Sequence, residues 1–159
     1  VKLKGREIEK FLKDNKVRRV RYQEFTPTLN NSQVSIQMEI PKGFKVEKID
    51  QLSNVFYSFQ RRISLAYVNS FFNKLTQFEL QNPQLDFPMT RQSLTMTAKV
   101  TFDNQGNLQT VKMMKWTDKD KLQDFFTNVL DGIQSIPNPP KAIIKNKETF
   151  NIYYTLKLN

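Results

Sequence analysis

The chain contains no cysteine and no histidine among its 159 residues. The first absence removes disulfides, thiol nucleophiles and sulfur-ligated metal sites, and the second removes imidazole as base, proton shuttle or ligand. Most catalytic templates need one or the other. A lack of thiols suits an oxidising compartment without requiring one. Glycine is scarce: Gly5, Gly43, Gly106 and Gly132 are the only four, too scattered to build a dinucleotide fingerprint or a phosphate-binding loop. No apolar run approaches the roughly 20 residues that span a bilayer. The first residue is Val rather than Met, so the sequence reads as a fragment or processed form, with any anchor or signal expected upstream.

What is present in excess is positive charge. The 25 Lys and Arg against 15 Asp and Glu leave a net +10, which calls for an acidic protein, a polyanion or an anionic membrane as a partner. Residues 1–21 hold nine basic side chains (Lys2, Lys4, Arg6, Lys10, Lys13, Lys16, Arg18, Arg19 and Arg21) against Glu7, Glu9 and Asp14, more than half of that excess. Such an arm can give nonspecific affinity for nucleic acid through counterion release. The acidic interruptions and the lack of an accompanying basic groove favour a self-repelling, solvated linker, so no nucleic-acid partner is expected.

With 38% hydrophobic residues, the length fits one main domain and an arm. Residues 1–32 are the basic arm or linker, with a short helix around Ile8, Phe11 and Leu12 and a polar run near Thr26 to Ser32. Residues 33–49 are a strand and turn leading into the domain: Val34, Ile36, Met38 and Ile40 alternate with Ser35, Gln37 and Glu39 until Pro41 and Gly43. Residues 50–159 form the domain proper. Leu52, Phe56, Phe59, Ile63, Tyr67, Ser70, Phe71, Leu75 and Phe78 recur at helical spacing, with Asp50 or Ser53 available as N-cap. A helix from about Asp50 to Leu80 reaches roughly 45 Å, so one end overhangs the domain or the helix breaks.

Leu94, Met96, Ala98, Val100 and Phe102 alternate with polar neighbours in the manner of a half-buried strand. Asp103 to Asn107 make a hairpin loop in which Gly106 can take positive φ, and a return strand runs from about Leu108 to Trp116. Its apolar phase changes between Met113 and Met114, the mark of a bulge or of the end of pairing. Thr117 or Asp118 can cap a second helix with an apolar stripe of Leu122, Phe125, Phe126, Val129, Leu130 and Ile133. Pro137, Asn138, Pro139 and Pro140 make a stiff exit, and Phe150, Ile152, Tyr154, Leu156 and Leu158 define a last strand.

This order predicts an α+β fold, a two-layer sandwich of two helices packed on one face of a three-stranded antiparallel sheet, with an N-terminal arm and an extra strand. The last strand should pair with the one beginning at Leu94 and lie at the sheet's edge, its outer backbone groups free. The face away from the helices should be wet, presenting Thr, Ser, Lys and Tyr153.

Catalytic signals are weak. Asp118, Asp120 and Asp124 form the densest carboxylate cluster, but acids in a first helical turn are ordinary capping electrostatics. The Asp103–Gly106 loop lacks the spacing and terminal Glu of a calcium loop. Phe56, Phe59, Phe71, Phe72, Phe78, Phe125 and Phe126 are assigned to helix stripes and core packing, not base stacking. No enzyme activity, cofactor or metal is expected.

Four segments in order resemble the C-terminal domain of the TonB and TolA energy-transducing proteins: VFYSFQRRISLAYVNSF, LTMTAKVTFDNQGNLQTVKMMK, LQDFFTNVLDGIQSIPNPP and FNIYYTLKLN. Together they cover about residues 50–159. The resemblance implies a periplasmic adaptor of the Gram-negative envelope, coupled through an upstream inner-membrane helix to a proton-driven motor and gripping an outer-membrane or periplasmic partner. Strand addition is the compatible physical mechanism, because main-chain hydrogen bonds supply affinity and alternating side chains supply register. The expected partner-binding edge is Thr149, Phe150, Asn151, Ile152, Tyr153, Tyr154, Thr155, Leu156, Lys157 and Leu158. Deleting it, or placing Pro at Tyr153, should abolish capture. Homodimerisation by strand exchange, a nucleic-acid module using the arm, and a non-transducing envelope or secretion-apparatus protein are the alternatives.

Overall fold

A computed structural model describes residues 18–20, 32–40, 53–84, 93–144 and 147–158. The elements in chain order are β1 (Arg18–Val20), β2 (Ser32–Ile40), α1 (Ser53–Gln81), β3 (Leu94–Asp103), β4 (Leu108–Lys115), α2 (Asp120–Asp131), the short α3 (Lys141–Ile144) and β5 (Thr149–Leu158). The expected helix around Ile8 to Leu12 lies outside the described residues. The fold is α+β with an antiparallel sheet. That sheet has five strands rather than three, in the order β1-β2-β5-β3-β4. The alternation from Val34 to Ile40 therefore marks an integral strand, and Arg18–Val20, inside the expected linker, is a strand on its flank.

α1 runs unbroken for 29 residues, roughly 44 Å at about 1.5 Å per residue. Phe59, Ile63, Tyr67, Phe71, Leu75 and Phe78, at three- and four-residue spacing, are all buried, while Val55, Tyr57, Leu65 and Leu80 on its other side are exposed, so the helix stays whole along one buried stripe. The ring of Phe59 meets that of Phe150 at 6.0 Å, and Tyr67 stacks on Tyr154 at 5.8 Å, which seats α1 against β5. α2 buries its entire expected stripe and packs on α1 through Phe125, whose ring stands edge-on to Phe71 and Phe78 at 5.5 and 5.6 Å. One core cluster joins these helices to β2, β3 and β5. Phe72 departs from its core assignment, being 47% exposed on the opposite side of α1.

The ends of α2 are set by neighbours as much as by local sequence. Neither Thr117 nor Asp118 caps it: Lys119 occupies the N-cap without a side-chain bond, and Thr117 Oγ1 accepts instead from the Lys119 N–H at 3.2 Å. At the other end a Cβ on Gly132 would lie 2.4 Å from Ser70 Oγ, because the two helices approach closely where that hydroxyl donates to the Val129 carbonyl. Arg62 fixes the proline-rich exit. Its guanidinium donates to the carbonyls of Pro137 (3.1 Å) and Asn138 (2.9 Å) and to Ser58 Oγ (2.7 Å), and it lies 5.4 Å from the Phe59 ring centroid.

Tyr67 is fully buried, and its hydroxyl has no hydrogen-bond partner among the described residues. An unpaired buried hydroxyl costs about 1–3 kcal/mol, so Tyr67→Phe should leave the fold intact and raise the melting temperature by a few degrees. Burial pushes the phenol pKa well above its usual value of about 10. The folded state then holds a proton that the unfolded state releases above that value, so stability present below pH 10 falls as pH rises, by about 1.4 kcal/mol per pH unit. Urea unfolding midpoints between pH 9 and 11 should fall less steeply in Tyr67→Phe than in the parent, and equal slopes would contradict this account.

Candidate functional site

The segment expected to grip a partner lies inside the sheet. β5 pairs with β3 along its whole length, Leu94↔Leu158 to Asp103↔Thr149, and with β2 from Ser32↔Leu158 to Met38↔Ile152. Of the ten residues assigned to an edge, Ile152, Tyr153, Tyr154, Thr155, Leu156, Lys157 and Leu158 therefore have strand partners on both sides. Thr149, Phe150 and Asn151 lie beyond the β2 register, and Phe150 is packed between the rings of Phe59 and Phe102. The physical reason is the unanticipated neighbour: β2 is apolar on the same face as β5, so laying Val34 and Met38 beside Leu156 and Ile152 extends one buried surface. Pro at Tyr153, or deletion of β5, would remove the centre of the fold, and loss of binding in such variants would say nothing about an edge.

The second face of the sheet is also drier than expected around β5. Tyr153, Thr155, Thr97, Ser35 and Gln37 are buried, and the hydroxyls of Thr97 and Thr155 lie 3.3 Å apart. Tyr153 is thus no exposed platform for a base.

The open rim is at β4, the end strand of the described sheet. Paired residues share a face, so the register places Thr110, Lys112 and Lys115 with Thr101, Lys99 and Thr97 on the side away from the core, and Val111 and Met113 with Val100 and Ala98 on the core side. Two irregularities interrupt the ladder, one opposite Thr101/Phe102 and one opposite Thr97/Ala98. The second realises the phase change at Met113 and Met114: with Met114 as the extra residue, Lys112 and Lys115 come to one face despite their odd spacing. Gln109, Thr110, Lys112 and Lys115 are exposed, and Trp116, directly beyond them, is 66% exposed.

The start of this rim is closed. The Leu108 N–H donates to the Gln134 carbonyl at 2.8 Å, and Asn107 bridges Ser135. The hairpin turn beside it is tightly made. Asp103 Oδ1 accepts from the N–H groups of Gln105 and Asn107, both at 2.9 Å, and Oδ2 from the side chains of Asn107 (3.2 Å) and Gln109 (3.3 Å). The backbone bond from Asn107 leads the causes that hold the Asp103 carboxyl below its usual pKa. Its charge is spent on the turn.

Elsewhere, Asp118, Asp120 and Asp124 are exposed, and no group of carboxylates among the described residues is placed to hold a metal. A cleft of about 240 Å³ lies between the end of α1 and α2, with Phe78 and Phe125 as its floor and Lys74, Lys121, Asp124, Asn82 and Asn128 in its walls. Lys121 Nζ is bonded to Asn82 Oδ1 at 3.0 Å, which ties its walls together. Among the described residues no helix is long and apolar enough to cross a membrane.

The sequence carried a usable signal for the rim. A short strand with two lysines, a phase break and a polar outer face is the ordinary make-up of an edge. Fold and rim define the class: an α+β domain whose antiparallel sheet ends, among the described residues, in β4 on one side and the three-residue β1 on the other. Set against family models, curated proteins and solved structures, the chain has no match.

Proposed function

We propose that this chain is a non-catalytic adaptor domain of the cell envelope, of TonB and TolA type, which takes an extended segment of an outer-membrane or periplasmic protein onto its sheet and passes on force from an inner-membrane motor. The observation that supports it is the rim at β4, where among the described residues no strand pairs with its outer side and an added strand would find backbone groups beside the exposed Trp116. The order α1, β3, turn, β4, α2, the short α3 and β5 agrees with the resemblance carried by residues 50–159, which supplies the envelope placement and the motor. We take α1 and α2 to form one layer against the sheet, so that a pull along the rim loads several main-chain bonds together in shear.

The seat next to β5 is filled by β2, so the partner strand is assigned to β4. A photo-crosslinking residue at Thr110 in the full-length protein in cells should couple to one envelope protein, with a yield that falls when a protonophore collapses the membrane potential. The same residue at Asn128, exposed on α2 away from β4, should not couple to it. A crosslink indifferent to the protonophore would remove the force-transmitting role, and coupling of the chain to its own copy would indicate a dimer formed edge to edge.

A further inference from the structure

Resting on the reading that β4 accepts a strand, we propose that the strand it accepts is acidic on one face, its carboxylates meeting Lys99, Lys112 and Lys115, with an apolar residue against Trp116. Lys99 and Lys112 are direct cross-strand partners. Like charges in that relation are destabilising, because their Cβ atoms stand only about 5 Å apart. No ion pair relieves them: neither these two nor Lys115 has a charged partner among the described residues, and Asp103 is engaged by its turn. The bulge at Met114 adds Lys115 to the same face instead of the opposite one. Three cations thus line one face of the rim at a local electrostatic cost that an anionic occupant would remove.

Lysines on an edge also repel unwanted strands, and that role does not compete with this one. A neutral segment pairing at β4 would bury part of the lysine stems without neutralising their charge, and a basic segment would be repelled outright. An acidic segment alone gains both the main-chain bonds and the charge pairs, so the same residues exclude general aggregation and select one partner chemistry. The polarity of the rim agrees: its Leu108 end is closed by Gln134 and flanked by the Asp103 carboxylate, so the available length, Gln109 to Lys115, is its basic part.

Trp116 is the only tryptophan in the chain and reports on this rim directly. Short peptides alternating Glu with Val, Thr with Val and Lys with Val would be titrated into the full chain at low salt, following Trp116 emission. The Glu peptide should bind at least about tenfold more tightly than the Thr peptide, with a shift of Trp116 emission, and the Lys peptide should not bind. K112E/K115E, at exposed positions and checked by circular dichroism, should reverse the order of the Glu and Lys peptides. A Glu peptide N-methylated at alternate residues should lose its affinity, because it cannot complete the ladder.

Equal binding of Thr and Glu peptides, abolished by N-methylation, would overturn the acidic preference and leave strand addition standing. Full affinity of the N-methylated peptide would overturn pairing, and failure of all peptides would overturn both. An oligothymidylate that binds more tightly than the Glu peptide and displaces it would show a general polyanion site and overturn the proposal.

Discussion

Gly106→Ala should destabilise the protein by about 3 kcal/mol or more, a larger effect than adding a methyl at Gly132, the other described glycine. Gly106 has φ +90°, a conformation that costs a residue with a Cβ about 1–3 kcal/mol. The added methyl would also stand 1.9 Å from the Ile136 carbonyl oxygen and 2.9 Å from its carbon, which are backbone atoms that no rotamer can move aside. The turn and the exit from α2 would have to separate. Separation breaks the Ile136 N–H bond to the Gly106 carbonyl (2.8 Å) and endangers the Leu108 N–H bond to Gln134 (2.8 Å), each worth about 1 kcal/mol.

A loss of this size lowers the melting temperature by roughly 10 °C in a domain of this length. Gly132→Ala is the internal control. Its backbone is ordinary α-helical and its clash is with the Ser70 hydroxyl, a side chain that can rotate away. It should cost about 1 kcal/mol, largely the lost bond from Ser70 to Val129, and combining it with Ser70→Ala should add little. Similar melting temperatures for Gly106→Ala and Gly132→Ala would refute the contact between turn and exit. The position also bears on the proposed site, because this contact closes one end of the β4 rim and sets where an added strand must stop.

How far this was legible in the sequence depends on which interactions set each element. α1, α2, β3 and β5 announce themselves through periods that belong to one segment, and every residue of the α2 stripe is buried as read. Strand neighbours are different. Nothing local to Phe150–Leu158 says whether its second side is free, since alternation reports burial of one face and not the pairing of the edges. The deciding fact was elsewhere, in the equally regular run Val34 to Ile40, which needs a partner for its own backbone and a core for Val34 and Met38. Once that strand is counted, β5 becomes interior and β4 is left at the rim. Arg62 was visible only as half of an arginine pair, because its partners are main-chain carbonyls about 75 residues away, which carry no residue-type signal.

Removal of β2 should therefore undo the domain instead of exposing a ready-made edge. A chain of residues 50–159 keeps both helices and the remaining strands, but it loses the burial of Val34, Ile36 and Met38 and the pairs from Ser32↔Leu158 to Met38↔Ile152. Each buried aliphatic side chain contributes about 1.5–3 kcal/mol, so the loss is roughly 5 kcal/mol before any hydrogen bond is counted. That is the whole stability of a weakly stable domain, typically about 5–15 kcal/mol. The shortened chain should melt at far lower temperature or self-associate through the uncovered side of β5, with Tyr153 and Thr155 losing their neighbours Gln37 and Ser35. Adding a peptide of residues 32–40 in trans should restore a cooperative melt and return the chain to a monomer on size exclusion. In that peptide Met38→Ala should weaken the rescue by about 2 kcal/mol or more, because Met38 is fully buried beside Ile152. A stable, monomeric 50–159 chain indifferent to the peptide would mean that β2 is dispensable, and the β5 rim would again be the place to look for a partner. Restoration by the peptide would instead show that this sheet takes a separate strand with defined register, the physical act that the proposed function requires at β4.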